Sequence, residues 1–160
     1  MAAKFAVFGN PIAQSKSPQI HKQFASQFGL HIEYDRLLSN ESMFIDDLRS
    51  FFKTGGLGCN VTAPFKEQAY AACDELTGAA QRAGAANTVM QRDDGSLLGH
   101  NSDGIGLVKD IVVNKQVPVQ NSMIMILGAG GATRGILEPI IAEQPGKLLS
   151  LIHISEPRDS

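Results

Sequence analysis

Gly58-Cys59-Asn60-Val61-Thr62-Ala63-Pro64-Phe65-Lys66 is the stretch that sets the fold class. Residues 58–62 read as a short apolar strand. Pro64 stops it, because proline has no N–H for a strand ladder and fixes its own φ. The amide of Asn60, the hydroxyl of Thr62 and the amine of Lys66 therefore gather where a strand opens into a loop. Open α/β sheets place their ligands at such strand ends.

Strand and helix signals alternate on both sides of this stretch. Upstream, Lys4 to Phe8 reads as a buried strand closed by Gly9-Asn10-Pro11. Ser17-Pro18 marks a helix start, with Ser17 as N-cap and Pro18 at the first helical position. Ile20, Phe24 and Phe28 give that helix one apolar stripe, and Gly29 ends it. Ile32 to Leu37 alternates apolar and polar as a half-buried strand does. A helix over 42–53 places Phe44, Ile45, Leu48, Phe51 and Phe52 on one face before Thr54-Gly55-Gly56 breaks it.

Downstream, a short helix follows Pro64, and two strands at 87–91 and 96–99 flank the hairpin turn Asp93-Asp94-Gly95. A helix is predicted from Asp103 to about Val113. The polar stretch Asn114 to Ser122 is the best linker. Met123 to Leu127 is a continuous apolar run of the buried parallel-strand type. A glycine loop and a helix from about Ala132 to Ala142 complete a strand–loop–helix unit. The alternation predicts an α/β protein: a three-layer αβα domain over residues 1–115, then over 120–149 the start of a Rossmann-like domain.

Composition narrows the function classes. The chain has 160 residues, 43% hydrophobic and 19% charged, which is a soluble globular balance. A formal net charge of −2 gives no electrostatic reason to expect nucleic acid or an anionic membrane surface. The apolar part of the N-terminus is too short for a signal peptide and runs straight into a turn. Cys59 and Cys73 form no CxxC pair and sit near no histidine cluster, so two reduced thiols in a cytoplasmic protein are expected and no metal site is.

Several clusters carry chemistry beside their structural duties. Gly128, Ala129, Gly130, Gly131 and Ala132 form a glycine turn between strand and helix, where backbone N–H groups and a helix N-terminus can meet a pyrophosphate. Thr133 stands where that fingerprint usually has its third small residue. Ser15 and Ser17 put two hydroxyls in a loop at a helix start, Ser15 with no structural duty in sight; together they can grip a carboxylate or a polyol. Asp103 supplies a carboxylate that can partner Lys66, and such a pair can move a proton in step with a redox change. Read singly, Asn60, Thr62 and Asn87 are strand-end and turn residues; read together, they fall on one side of a sheet.

The chain resembles the shikimate dehydrogenases. The resemblance rests on Gly9-Asn10-Pro11-Ile12 with Ser15-Lys16-Ser17-Pro18, on Asn60 to Lys66, on Gly84-Ala85-Ala86-Asn87-Thr88, on Asn101-Ser102-Asp103-Gly104, and on Gly128 to Ala132. It implies NADPH-dependent reduction of 3-dehydroshikimate to shikimate, a step of aromatic amino-acid biosynthesis. It further implies that Ser15, Ser17, Asn60, Thr62, Asn87 and Asp103 contact the substrate, that Lys66 and Asp103 form the catalytic pair, and that the glycine turn binds the NADP pyrophosphate. Ala63, Ala86 and Ser102 depart from the family's usual residues without touching that chemistry. A quinate/shikimate dehydrogenase and a non-catalytic shikimate-binding module are the rival readings; the expected partners are the small-molecule substrate and a second copy of the chain in a homodimer.

The resemblance stops near Leu149, before the residues that hold the NADP 2′-phosphate. Leu149 to Pro157 resembles the translation of a sequencing-library adapter, which predicts a truncated reading frame with residues 150–160 as a non-native tail. A real strand in which Leu151, Ile152 and Ile154 pack is the alternative. The expectation is a chain that folds its N-terminal domain and has little or no dehydrogenase activity alone.

Overall fold

The computed structural model describes residues 2–128 and 131–151, which fall into two compact units, Met1–Asn101 and Ser102–Ser160. That division lies ahead of the Asn114–Ser122 stretch, which belongs to the second unit and buries Val119.

The first unit runs β1 (Ala3–Gly9), α1 (Ser17–Gln27), β2 (Ile32–Leu38), α2 (Phe44–Lys53), β3 (Gly56–Val61), α3 (Lys66–Ala72), β4 (Glu75–Leu76), α4 (Gly78–Ala83), β5 (Thr88–Gln91) and β6 (Leu97–His100). Its strands form one six-stranded sheet in the order β2-β1-β3-β5-β6-β4. β2, β1 and β3 are mutually parallel, β5 runs antiparallel to β3 and to β6, and β4 lies parallel to β6.

The period of two along β1 separates two cores. Ala6 and Phe8 face Phe44, Leu48, Phe51 and Phe65. Phe8 meets Phe44 edge-on at 5.7 Å, and Phe44 stacks on Phe65 at 4.7 Å and 7°. Burying Phe65 at full depth anchors the chain just after Pro64 and starts α3 at Lys66. Val7, on the opposite face of β1, packs with Ile12 and Tyr34, flanked by Phe5 and Ile32.

Two local expectations change, and two elements were not anticipated. The stripe on α1 does not face a core: Phe24 and Phe28 are 54% and 78% exposed, and the helix buries Pro18 and Ala25 instead. Ser17 is the first helical residue rather than the cap, because Lys16 occupies the N-cap position and makes no side-chain cap bond. β4 and α4 had no periodic signal to reveal them, since α4 packs through the small residues Ala80 and Ala83. Thr77 caps α4 by accepting from the Ala80 N–H, and Gly84 closes it at φ +62°, a conformation glycine adopts without strain.

The second unit contains α5 (Asp103–Lys109), which continues into a π-helical turn at Asp110–Asn114, then β7 (Met123–Leu127), α6 (Gly131–Ala142) and β8 (Lys147–Leu151). β7 and β8 form a two-stranded parallel sheet. The apolar run of β7 is consequently not buried: Met123, Met125 and Leu127 are exposed. A continuous apolar strand needs cover on both faces and a neighbour on both edges, which two strands do not supply. Ser150 and Leu151, expected in a non-native tail, are the last two residues of β8; residues 152–160 lie outside the described residues.

Candidate active site

Backbone hydrogen bonds bring the predicted residues of the first unit to one end of the sheet. Thr62 N–H donates to the Phe8 carbonyl at 2.9 Å, and Asn10 N–H donates to the Ala63 carbonyl at 3.0 Å, so the segment after β3 runs beside the end of β1. Val61 N–H donates to the Asn87 carbonyl at 2.8 Å, Asn87 N–H to the His100 carbonyl at 3.0 Å, and Ala86 N–H to the Lys66 carbonyl at 2.9 Å. Thr62, Lys66 and Asn87 thus sit on adjoining segments although Asn87 lies far from the other two in sequence. Gly9 makes the approach of Thr62 possible, since a Cβ there would stand 2.5 Å from Thr62 Cγ2 and 2.8 Å from Ile12 Cδ1.

The hydroxyls of the loop before α1 are organised by each other. Ser15 Oγ accepts from the Ser17 N–H at 3.3 Å and lies 3.2 Å from Ser17 Oγ. Ser15 therefore has the structural duty that the sequence did not reveal: it closes the turn that opens α1. Arg36, on β2, donates from Nε to the Ser15 carbonyl at 2.7 Å and ties this loop to the sheet.

Asn60 makes hydrogen bonds from both ends of its side-chain amide. Its Oδ1 accepts from the Tyr34 hydroxyl at 2.5 Å, and its Nδ2 faces the Asn87 carbonyl at 3.4 Å and Thr88 Oγ1 at 3.3 Å. Thr88 Oγ1 donates onward to Asn87 Oδ1 at 3.0 Å. His21 stacks on the Tyr34 ring at 4.7 Å and 9°. Burial pulls the His21 imidazole below its ordinary pKa, with a hydrogen bond to Asn60 pulling the other way. Burial also pushes the Tyr34 phenol above its usual range, so it stays protonated and able to donate. Tyr34 and Thr88 were not singled out in the sequence; the signal available for Tyr34 was its inward place in an alternating strand, since a buried phenol needs a partner for its O–H.

At the end of β6, Thr77 Oγ1 and His100 Nδ1 are 2.9 Å apart, and the buried Asn101 donates from Nδ2 to the Ala85 carbonyl at 3.0 Å. These bonds fix the chain just before Ser102 and Asp103. Among the described residues no cluster of His, Cys, Asp and Glu suits a metal ion. Cys59 and Cys73 are both free thiols. Burial raises both, Cys73 to about 11. A shallow apolar groove of about 630 Å³ lies on the α1 side of the sheet, lined by Phe5, Phe24, Phe28, Tyr34 and Met90.

In the second unit, Asp103 is the first residue of α5, with Ser102 at the N-cap position. α5 approaches α6 closely at Gly104: a Cβ there would run into the Gly135 carbonyl oxygen and stand 2.9 Å from Pro139 Cγ. The glycine turn begins at Gly128, whose φ of +115° is one that side-chain-bearing residues rarely adopt. Thr133, the departure from the fingerprint, donates from Oγ1 to the Gly128 carbonyl at 3.1 Å, and Ser150 does so at 3.3 Å. Thr133 therefore closes the turn rather than spoiling it. Gly131 and Ala132 open α6, while Ala129 and Gly130 lie outside the described residues.

A family model described as the shikimate dehydrogenase substrate binding domain matches residues 7–89. The shikimate dehydrogenase (NADP(+)) of Vibrio atlanticus (strain LGP32) is 47% identical over 146 residues, which are 91% of this chain and 52% of that protein. The crystal structure of an Ael1 enzyme from Pseudomonas putida matches with a TM-score of 0.89 and 39% identity, over 93% of this chain and 55% of that one. A shikimate 5-dehydrogenase from Thermus thermophilus, solved in complex with shikimate, matches with a TM-score of 0.81 and 31% identity, over 92% of this chain and 56% of that one. The chain spans about half the length of these relatives. On its motifs, its sheet and these matches, the chain belongs to the shikimate dehydrogenase family.

Proposed function

We propose that this chain is the substrate-binding half, with the opening of the cofactor-binding half, of an NADP-dependent shikimate dehydrogenase that reduces 3-dehydroshikimate to shikimate. The observation that carries the reading is the convergence of Thr62, Lys66 and Asn87 at one sheet end, with the paired hydroxyls of Ser15 and Ser17 on the loop that leaves the same end of β1. A polyhydroxylated ring with a carboxylate suits such a set of hydroxyls, amides and one amine.

The turn after β7 fits the dinucleotide. Gly128 has the backbone conformation that a tight strand-to-helix turn needs, and α6 opens at Gly131 with its N-terminal N–H groups suited to a pyrophosphate. Gly128, Gly131 and Ala132 would hold that group together with Ala129 and Gly130. NADPH, when bound, supplies the hydride.

The rest of the chemistry is this chain's own. Reduction of a ketone leaves an oxygen that must gain a proton. The Lys66 ammonium stabilises the developing negative charge on that oxygen and donates the proton. Asp103, in the second unit, is the partner carboxylate that the family resemblance assigns to this proton transfer. Thr62, Asn87 and the two serines hold the remaining hydroxyls and the carboxylate.

The exposed apolar faces of β7 and β8 support a further part of the reading: the 160-residue chain binds the substrate class but turns it over little or not at all. The test of the function is a Lys66→Ala variant in a chain carrying the complete cofactor-binding half. Shikimate affinity is expected to persist while NADP-linked turnover is lost. Unchanged turnover would remove Lys66 from the mechanism.

A further inference from the structure

We propose that Arg36 supplies the positive charge that makes the turn of Ser15 and Ser17 select a carboxylate over an uncharged oxygen group, an inference that rests on and deepens the function proposed above. Two serine hydroxyls alone suit a carboxylate or a polyol.

The sheet brings Arg36 to that turn. β2 and β1 run parallel, with Arg36 beside Val7 and Leu38 beside Gly9. Side chains two apart on a strand share a face. Arg36 therefore emerges on the face where Tyr34 packs with Val7 and Ile12. Ile12 is 5% exposed, so the loop that leaves β1 at Gly9 is drawn over this face before it reaches Ser15. Asn10 ties the start of the loop to the residue after β2, donating from Nδ2 to the Ser39 carbonyl at 2.9 Å. Arg36 meets the far end of the loop, donating from Nε to the Ser15 carbonyl at 2.7 Å.

That bond orients the cation. A guanidinium is a rigid planar fork in which one Nη N–H lies parallel to the Nε N–H. With Nε given to Ser15, the parallel N–H points to the side of the turn, where Ser15 Oγ and Ser17 Oγ lie 3.2 Å apart. Among the described residues no carboxylate stands within ion-pair distance of Arg36. Its chain neighbour Asp35 lines a cleft with Lys4 and Asp47 instead. The protein thus leaves one positive charge without a counterion beside two hydroxyls, which suits an anionic oxygen pair and is wasted on a polyol. The other cations at this sheet end are engaged or loose. Lys66 serves the ketone oxygen in the proposed chemistry. Lys16, in the turn itself, is exposed, and its side chain makes no cap bond to α1.

The test titrates the 160-residue chain and its Arg36→Gln, Arg36→Lys and Lys16→Gln variants with shikimate and with shikimate methyl ester, at rising salt. At low salt Arg36→Gln is expected to weaken shikimate binding about three- to tenfold, the scale of one charge acting in a partly solvated setting. The loss is expected to shrink as salt screens the pair. Arg36→Lys is expected to recover most of the affinity, and Lys16→Gln to cost less than about twofold. The ester is expected to bind every variant as it binds the unaltered chain. A role in holding the turn alone would weaken acid and ester alike at every salt concentration, and that result would overturn the inference. So would a loss in Arg36→Lys as large as that in Arg36→Gln, or a loss confined to Lys16→Gln. Where the ester binds too weakly to titrate, the salt series decides alone: a loss that salt leaves unchanged contradicts a charge. If the unaltered chain binds no shikimate, the failure lies in the proposed function; binding that Arg36→Gln leaves unchanged removes this inference and spares that function.

Discussion

Two glycines in α5 should respond in opposite directions to the same added methyl group. At Gly104 a Cβ would run into the backbone carbonyl of Gly135 and stand 2.9 Å from Pro139 Cγ. Neither neighbour is the loose end of a side chain. Pro139 lies inside α6 and has no N–H to give the Gly135 carbonyl four residues back, so that carbonyl faces α5 at a point where only a glycine fits. Gly104→Ala must push α5 and α6 apart, and overpacking of this kind costs about 1–3 kcal/mol. At Gly106 a Cβ meets nothing within 4 Å. Gly106→Ala there restricts the unfolded chain and favours the helix, a gain of roughly 0.5–1 kcal/mol. Urea unfolding followed on amide resonances of α5 and α6 reads both. With a denaturant dependence on the order of 1 kcal/mol per molar, the midpoint of the second unit falls by about 1–3 M in Gly104→Ala and rises by up to about 1 M in Gly106→Ala. Resonances of β1 and β3 should keep their midpoint in both. Shifts of the same sign at 104 and 106 would show that the close contact between α5 and α6 does not exist.

The two aromatic environments of the first unit make a parallel contrast: Phe44→Ala, which empties a fully buried position stacked on Phe65, should cost about 3–5 kcal/mol in thermal or urea unfolding, and Phe28→Ser, at a side chain 78% exposed, should stay within about 0.5 kcal/mol. Alkaline pH should destabilise the fold, because Cys73 has its pKa raised from 9.0 to about 11 on folding and Cys59 is raised as well. The folded state holds those protons where the unfolded chain has released them, so stability falls as pH rises from 9.0 through about 11, and urea midpoints across that window check it. On the acid side, His21 has its folded pKa below 6.5, so the unfolded chain binds the extra proton. Its contribution is present above pH 6.5 and is lost as pH falls below it, and His21→Gln should flatten that part of the stability profile.

The elements with strong periodicity were legible in the sequence. α2 buries Phe44, Leu48, Phe51 and Phe52 as its spacing required, and the hairpin turns at Gly95 with φ +87° as Asp-Asp-Gly indicated. α4 was not legible, because a helix that packs through alanines leaves no contrast between its faces. The exposed stripe of α1 shows the converse: spacing reports that a face is apolar, not that something covers it. β7 misled for a related reason, since an apolar run signals cover on both faces and the described residues supply one neighbouring strand. The adjoining of Thr62, Lys66 and Asn87 at one sheet end was legible, because strand ends can be located from a proline and a hairpin. The sequence could not show what holds Asn60, since Tyr34 lies in β2, separated from β3 by a whole strand, and no local spacing records that distance. Ser15 looked spare for a different reason: its partner, the N–H of Ser17, is local, but a turn closed by a hydroxyl has no period to read.

The most direct measurement is a titration of the 160-residue chain with shikimate, followed by two-dimensional amide NMR. Saturable shifts are expected at Ser15, Ser17, Thr62, Lys66 and Asn87, with Phe28 and Met90 in the apolar groove unmoved. An absence of saturable shifts, or shifts centred on that groove, would contradict the assignment of the ligand to this end of the sheet.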